Sequence, residues 1–496
     1  MKRRIPYIAT VLCAACLVSS CSDWLEAVST TQVEAYRLFE EKSGYYDALN
    51  GIYLNMGETS VYGRDMTMYC PDLMTYPTEN VDQQAINTWQ ILDTKSTTAK
   101  STILSMWKGC YNVIANINLA LQQLEEHRSL FSEELEYNLI RGELLGLRAY
   151  IHFDLLRFFG LAHADLPENA SKVTVPYVTE YSKVAASQKT YAQTFELLEK
   201  DLKEALTCLE NDPVTGYRSE TFENAANSEG YWDNRAKHMN YYAALALAAR
   251  IYQWHGDLET AAGYASEAAS GAFASGAVSW YAYKKYLSEK EYSAKDMTMS
   301  SEHLFSLEVS GLYNSSDYFM KDGASIGLRL GTSFVDDTLY PSLDIYGSLA
   351  GAEDVRGPLQ GLEYTKAGYN CYKLYGSETM WQSYRNRMPM LKVSEMYYIM
   401  AEERLAAQDT TGAFALLDEV RSHRGVQESL SHESDAFTEL TKEYCREFYN
   451  EGQFFHWMKH TDNRCNLCPT YRKLSEAVMV LPYPDEETNY GRNQEL

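Results

Sequence analysis

Small residues recurring at helical spacing constrain this chain more than any other feature. Leu245, Ala248, Ala249 and Tyr252 fall on one face of a helix, and Ala261, Ala265 and Ala268 on one face of the next. Gly256-Asp257 supplies the turn between them. Ala401, Ala413, Leu417 and Val420 repeat the arrangement, with Gln408-Asp409 in the turn. Small side chains at these points let two helices approach closely, and each pair then needs a neighbour to cover its other face.

Further helices follow from the same periodicity. One face carries Tyr45, Leu49, Ile52, Tyr53 and Met56; another carries Ile103, Trp107, Tyr111, Ile114, Ile117, Leu121 and Leu124. The pattern continues from Ser132 to Phe159 and predicts helices near 191–210, 236–254, 258–270, 393–407, 411–423 and 436–459. The expected fold class is mainly α, a tetratricopeptide-like scaffold of helical pairs interrupted by long irregular loops. Two such insertions, 57–100 and 271–390, lack sustained helical periodicity and are rich in Gly, Ser, Asp, Asn and Tyr. Loops of that length are uncommon unless functional, and binding groups tend to sit on loops held by a rigid frame.

The N-terminus runs from Met1-Lys2-Arg3-Arg4 through an apolar stretch to Val18-Ser19-Ser20-Cys21. That order reads as a bacterial lipoprotein signal peptide over 1–20 with Cys21 as the lipidated residue. A tether over 21–33 and one helical domain over 34–496 are expected to follow. No second apolar stretch approaches the length that crosses a bilayer. The net charge of −24 argues against nucleic acid, whose phosphates call for Lys and Arg. Tyrosine is the compositional outlier, at 40 residues against 16 Phe. A ring with a hydroxyl tip suits wet aromatic surfaces, and equally suits helix packing at a polar boundary.

Catalytic motifs are weak. Gly323-Ala324-Ser325-Ile326-Gly327 matches G-x-S-x-G, but no helix pattern follows to present Ser325 on a strand–helix turn, so a hydrolase role is the minor reading. His456, His460, Cys465 and Cys468 form H-x3-H followed by C-x2-C, which leaves a zinc site, a Cys465–Cys468 disulfide or unremarkable side chains as alternatives. There is no H-E-x-x-H, P-loop or G-x-G-x-x-G, and no cofactor is expected.

Aromatic rings beside amides and acids make the better site candidate. Asp72, Tyr76, Asn80, Asp82, Asn87 and Trp89 lie on the first insertion; Tyr313, Tyr318, Arg329 and Trp381 lie on the second, among further aromatics including Trp280, Tyr281, Tyr283 and Tyr384. A sugar stacks its C–H face on a flat ring while its hydroxyls pair with Asn, Asp and Arg, so these residues are expected to contact a saccharide.

The ordered motifs resemble the SusD/RagB family of nutrient-uptake lipoproteins. Cys21-Ser22-Asp23-Trp24-Leu25 is similar to its lipidated start, and Trp107 to Asn116 to its W-x-x-x-Y-x-x-I-x-x-A-N helix. Gly142 to Tyr150 and Phe158-Phe159-Gly160 resemble its GEARFLRAYYYFDLVRLFG segment. Pro389 to Tyr397 and Arg446 to Gly452 resemble its P-x-x-R-x-A-E-x-Y and R-x-E-F-x-x-E-G signatures, although Lys392 replaces the usual Arg. Leu481-Pro482-Tyr483-Pro484 and Asn489 to Asn493 stand where its final motifs do, without the Pro-Gly-Tyr end. The resemblance implies a surface lipoprotein of the bacterial outer membrane, without enzymatic activity. Such a protein captures oligosaccharides, or in some relatives peptides or glycopeptides, and passes them to a SusC-like TonB-dependent transporter. It places Asp72, Asn80, Asn87 and Trp89 where relatives commonly bind glycan. Charge pairs on helices are usually structural, so Arg446, Glu447 and Glu451 read as an ion pair or helix-turn brace rather than a site.

Overall fold

The computed structural model describes residues 36–79, 88–89, 93–163, 166–288, 295–312, 329–340, 354–358, 361–365, 368–371, 373–374, 385–430, 433–467 and 479–496. Cys21, Asn80, Asp82, Asn87, Tyr313, Tyr318, Ser325, Trp381, Tyr384 and Cys468 lie outside the described residues. Among those described, no helix is long and apolar enough to cross a membrane.

The helices that build the frame are α1 (Lys42–Met56), α2 (Cys70–Thr75), α3 (Thr97–Glu126), α4 (Glu134–Phe159), α5 (Tyr191–Leu209), α6 (Tyr241–His255), α7 (Leu258–Ser275), α8 (Val393–Ala406), α9 (Thr410–Ser422), α10 (Ala436–Phe448) and α11 (Gln453–His460). They pack in a run: α1 on α3, α3 on α4, α4 on α5, α5 on α6, α6 on α7, α7 on α8, and α8 on both α9 and α10. The run turns back on itself where α11 packs on α2. Side chains cap the starts: Ser96, Asn240, Asp257, Asp409 and Asp435 each accept a backbone N–H of the first turn, and Thr190 and Gln193 form a reciprocal capping box. The close approach of α4 to α5 requires Gly142, where a Cβ would lie 2.7 Å from a carbon of Leu209.

Buried ion pairs tie non-adjacent stretches together. Arg148 of α4 grips Asp201 of α5 at 2.6 and 2.7 Å, and Arg250 of α6 grips Glu395 of α8 at 2.5 and 2.6 Å. Arg235 bridges Glu143 at 2.5 Å and Asp212 at 2.8 Å. Burial works against the charge on Glu143, but Arg235 and His238 outweigh it and hold the carboxyl down to about 2.

Two differences from the sequence pattern stand out. The helix expected over 436–459 is two, because Asn450 and Gly452 take left-handed conformations (φ 68° and 75°) and make a sharp elbow between α10 and α11. A Cβ on Gly452 would lie 2.8 Å from the Thr67 carbonyl, so the elbow admits only glycine there without displacement. The first insertion is also less irregular than its composition suggests, since a π-helical turn at Asp65–Tyr69 runs into α2. Many of the tyrosines belong to packing. Tyr45, Tyr76 and Tyr111 bury their rings wholly or partly and donate their hydroxyls to the backbone carbonyls of Gln123, Cys445 and Pro176.

Candidate functional site

The two insertions meet in one four-stranded antiparallel sheet. Strand β1 (Thr78–Glu79) comes from the first; β3 (Arg329–Leu330), β4 (Leu362–Thr365) and β5 (Gly368–Cys371) come from the second, in the order β1-β3-β5-β4. A separate ribbon pairs β2 (His303–Glu308) with β6 (Arg387–Lys392). Thr78 faces Leu330 and Glu79 faces Arg329 in register, and the Gly331 N–H donates to the Pro77 carbonyl at 2.8 Å. Segments more than 240 residues apart are therefore joined by backbone pairing.

Alternation gives the sheet two unlike faces. Leu330, Leu362 and Cys371 point to the side that meets Cys445, Arg446 and Glu447 of α10, around a cavity of about 40 Å³. That volume holds a water or two and no sugar ring. On the opposite side a polar row crosses the strands: Arg329, Asn370 and Glu363, with Glu79 next to Arg329 in register. The Arg329 Nε donates to Asn370 Oδ1 at 2.9 Å. At the outer edge Tyr364 is 60% exposed, and its ring leans on Tyr369, whose hydroxyl donates to Asp336 at 2.7 Å.

Beneath the sheet a buried charge network fixes the second insertion to α10 and the elbow. Arg356 pairs with Asp354 (2.8 Å), Glu443 (2.9 Å) and Glu447 (3.1 Å); Arg424 pairs with Glu302 (2.7 Å) and Glu447 (2.9 Å). Lys392 reaches Glu447 at 2.6 Å and Glu451 at 3.3 Å, Lys373 pairs with Glu451, and Arg446 pairs with Glu443 at 2.7 Å. Each cation thus has its carboxylate, which is the condition for keeping charge out of water. The segment resembling R-x-E-F-x-x-E-G is this brace, and Lys392 takes its place in it in spite of the usual Arg. Burial opposes the charge on Glu443, but Arg356 and Arg446 bring it down to about 2.

Three residues expected to touch ligand are instead interior. Trp89 and Tyr76 are fully buried, and the Tyr76 hydroxyl is spent on the Cys445 carbonyl at 2.9 Å. Asp72 is 2% exposed and accepts the Asn450 N–H at 2.7 Å. Burial pushes its carboxyl well above the usual range; the Asn450 N–H and Lys373 pull the other way, and Glu451 adds to the rise. Tyr76 and Asp72 anchor the first insertion, the ring against Tyr449 and Phe454 and the carboxyl on the elbow, and Trp89 lies in the core. Arg329 lies on strand β3 and is 6% exposed. Trp280 stacks on His423 at 4.4 Å and packs on Tyr397.

The zinc alternative loses its ligands to other partners. His456 packs its ring against Phe158, and burial drives its pKa well below the ordinary value. The Nε2 of His460 pairs with Glu402 at 2.9 Å, and Cys465 lies against Thr441. Among the described residues no group of three or more His, Cys, Asp or Glu could hold a metal ion.

Asn370, Glu363 and Tyr364 were not singled out from the sequence. Their signal was present, since Leu362-Glu363-Tyr364-Thr365 and Gly368-Tyr369-Asn370-Cys371 flank two residues in the manner of a hairpin.

Residues 46–253 match the family model described as SusD-like, starch-binding and associating with the outer membrane. No curated protein matches the chain. Among solved structures, a SusD superfamily protein from Bacteroides vulgatus ATCC 8482 is 20% identical, covers 92% of this chain and 98% of its own, and superimposes with a TM-score of 0.69. A SusD superfamily protein from Bacteroides thetaiotaomicron VPI-5482 is 19% identical over 92% of this chain and 100% of its own, with a TM-score of 0.63. A SusD-like carbohydrate binding protein from Bacteroides vulgatus ATCC 8482 is 15% identical over 85% and 84%, with a TM-score of 0.62. Identity at this level speaks for the fold. The chain thus matches the SusD-like family model over residues 46–253 and shares the fold of these solved structures along nearly its whole length.

Proposed function

We propose that this chain is a glycan-binding lipoprotein of the bacterial cell surface, held in the outer membrane by a lipid on Cys21. It captures oligosaccharides without cleaving them and delivers them to a SusC-like TonB-dependent transporter. The observation that carries the reading is the sheet: it brings the two loop-rich insertions of a SusD-like helical frame to one place, with Arg329, Asn370 and Glu363 on one face and the exposed ring of Tyr364 at the edge of the other. A guanidinium, an amide, a carboxylate and an accessible ring are the groups that hold neutral hydroxylated molecules. The family description as starch-binding, and the description of one structural neighbour as carbohydrate binding, support the same class of ligand.

The test is a screen of the full chain against an oligosaccharide array, followed by calorimetry on the sugars that bind. Recovery of a TonB-dependent transporter with the tagged protein from outer membranes tests delivery. Binding with the sugar recovered intact is expected; an absence of binding across the array would reject the reading.

A further inference from the structure

A groove of about 890 Å³ runs between the first two turns of α3 and the C-terminal segment that carries the short helix Asp485–Asn489. It shares no residue with the sheet, and its wall from Thr94 to Lys100 is the end of the first insertion. The volume falls in the range of small-molecule sites, about 300–1,000 Å³, which the 40 Å³ cavity beneath the sheet does not reach. Both walls are fixed before any ligand arrives. Gln494 donates to the carbonyls of Phe159 at 2.9 Å and Leu481 at 2.8 Å and accepts the Tyr483 N–H at 3.1 Å, while the Tyr483 ring packs on Trp107 of α3.

The lining combines apolar carbon with neutral polar groups. Leu104, Pro482 and Tyr483 supply the first; Thr94, Thr97, Ser101 and Asn489 supply three hydroxyls and an amide. None of these four polar side chains has a partner among the described residues. The charges mostly cancel, since Lys100 of α3 meets Asp485 of the opposite wall at 2.8 Å, and Lys95 alone stays unpaired among the charged groups of the lining on the α3 side. Asn489 is followed by Tyr490, which is 88% exposed and meets no other ring among the described residues, so an aromatic face stands free beside the groove. The chemistry discriminates between ligands. A peptide added as a strand needs a sheet edge, and these walls are a helix and a turn. Nucleic acid needs several free cations, and the groove offers one in a chain of net charge −24. Free hydroxyls and an amide over apolar carbon, with a ring at hand, match a sugar.

We infer that the groove between α3 and the C-terminal segment is an oligosaccharide-binding site separate from the sheet. This rests on the carbohydrate-binding reading above and adds a place to it. Sugar hydroxyls exchange hydrogen bonds with Thr97 and Ser101 on one wall and with the Asn489 amide on the other, and the Tyr490 ring takes the C–H face of a neighbouring unit. Because the C-terminal segment makes the second wall, the site joins residues from both ends of the helical frame.

The test uses the full chain with the tightest-binding sugar from an array of malto-, xylo- and manno-oligosaccharides. Ser101→Trp fills the groove from an exposed helix position, and Tyr490→Ala removes a ring that packs on nothing, so both should melt like wild type. Ser101→Trp is expected to abolish one binding event in calorimetry or to weaken the single event about tenfold; Tyr490→Ala should weaken it about threefold. Hydrogen exchange on wild type locates the site without any substitution: saturating sugar should slow exchange over 94–104 and 482–490. Unchanged calorimetry in both variants, with no protection over those segments, would overturn the groove and leave carbohydrate binding standing elsewhere on the molecule. No binding by wild type across the array would remove the carbohydrate reading, and this site with it.

Discussion

The carboxyl of Asp72 accepts a 2.7 Å hydrogen bond from the backbone N–H of Asn450, a residue 378 positions further along the chain. Asn450 holds φ 68° in the elbow between α10 and α11, so this bond fastens the first insertion to that elbow. An acid whose pKa is raised by burial is more stable folded when protonated, and it loses stability as pH climbs from its unfolded value of 3.8 towards the folded one. Asp72→Asn keeps the acceptor and cannot ionise. Its melting temperature should overtake wild type as pH rises from about 4 to 8, whereas Asp72→Ala should cost about 1–3 kcal/mol by leaving the Asn450 N–H without a partner. Parallel melting curves for wild type and Asp72→Asn across that range would refute the account.

Trp89 behaves as core. Trp89→Ala should lower stability by about 3–5 kcal/mol, because its indole is fully buried. Any drop in glycan affinity should therefore accompany a drop in melting temperature, and Trp89→Phe should recover most of both. A variant that melts like wild type while losing affinity would return Trp89 to direct ligand contact.

Glu447 neutralises Arg424, Lys392 and Arg356 at once. Removing one carboxylate from a matched, water-excluded network leaves cations without their partner. Glu447→Gln should then cost about 3–5 kcal/mol, measured by chemical denaturation. The loss should change little between low and high salt, since buried pairs are poorly screened.

Acid should undo the frame in a defined window. Glu143 and Glu443 are held down to about 2 against an ordinary 4.5, so each contributes stability above 4.5 and surrenders it as pH falls towards 2. Melting temperature should decline across that interval, and Glu143→Gln should flatten the slope. A flat wild-type profile from 4.5 down to 2.5 would contradict the pairing with Arg235.

Metal should be irrelevant to folding. His456 is packed among aromatic rings and His460 is engaged by Glu402, so chelation with EDTA or addition of zinc should leave the melting temperature unmoved. Stoichiometric zinc in the purified protein, with destabilisation on chelation, would reverse this.

Much of the scaffold was legible in the residues alone. Periodicity of 3.6 and small residues at pair contacts are local signals, and α5 to α9 lie within a few residues of where Leu245, Ala261, Ala413 and their neighbours placed them. The elbow at Asn450–Gly452 was hidden because its cause is distant: Asp72 and the Thr67 carbonyl come from the other end of the chain. The site divides in the same way. Composition marked the two insertions as unlike the helices around them. Burial of Trp89, Tyr76 and Asp72, and the alignment of Arg329, Asn370 and Glu363, depend on which side of a sheet each strand turns inward. Strand register is set by pairing between segments hundreds of residues apart, and a shift of one residue would exchange the two faces. The order of residues determined a frame of paired helices with two long interruptions; only the folded chain decided which of the interrupting side chains became core and which stand in a row.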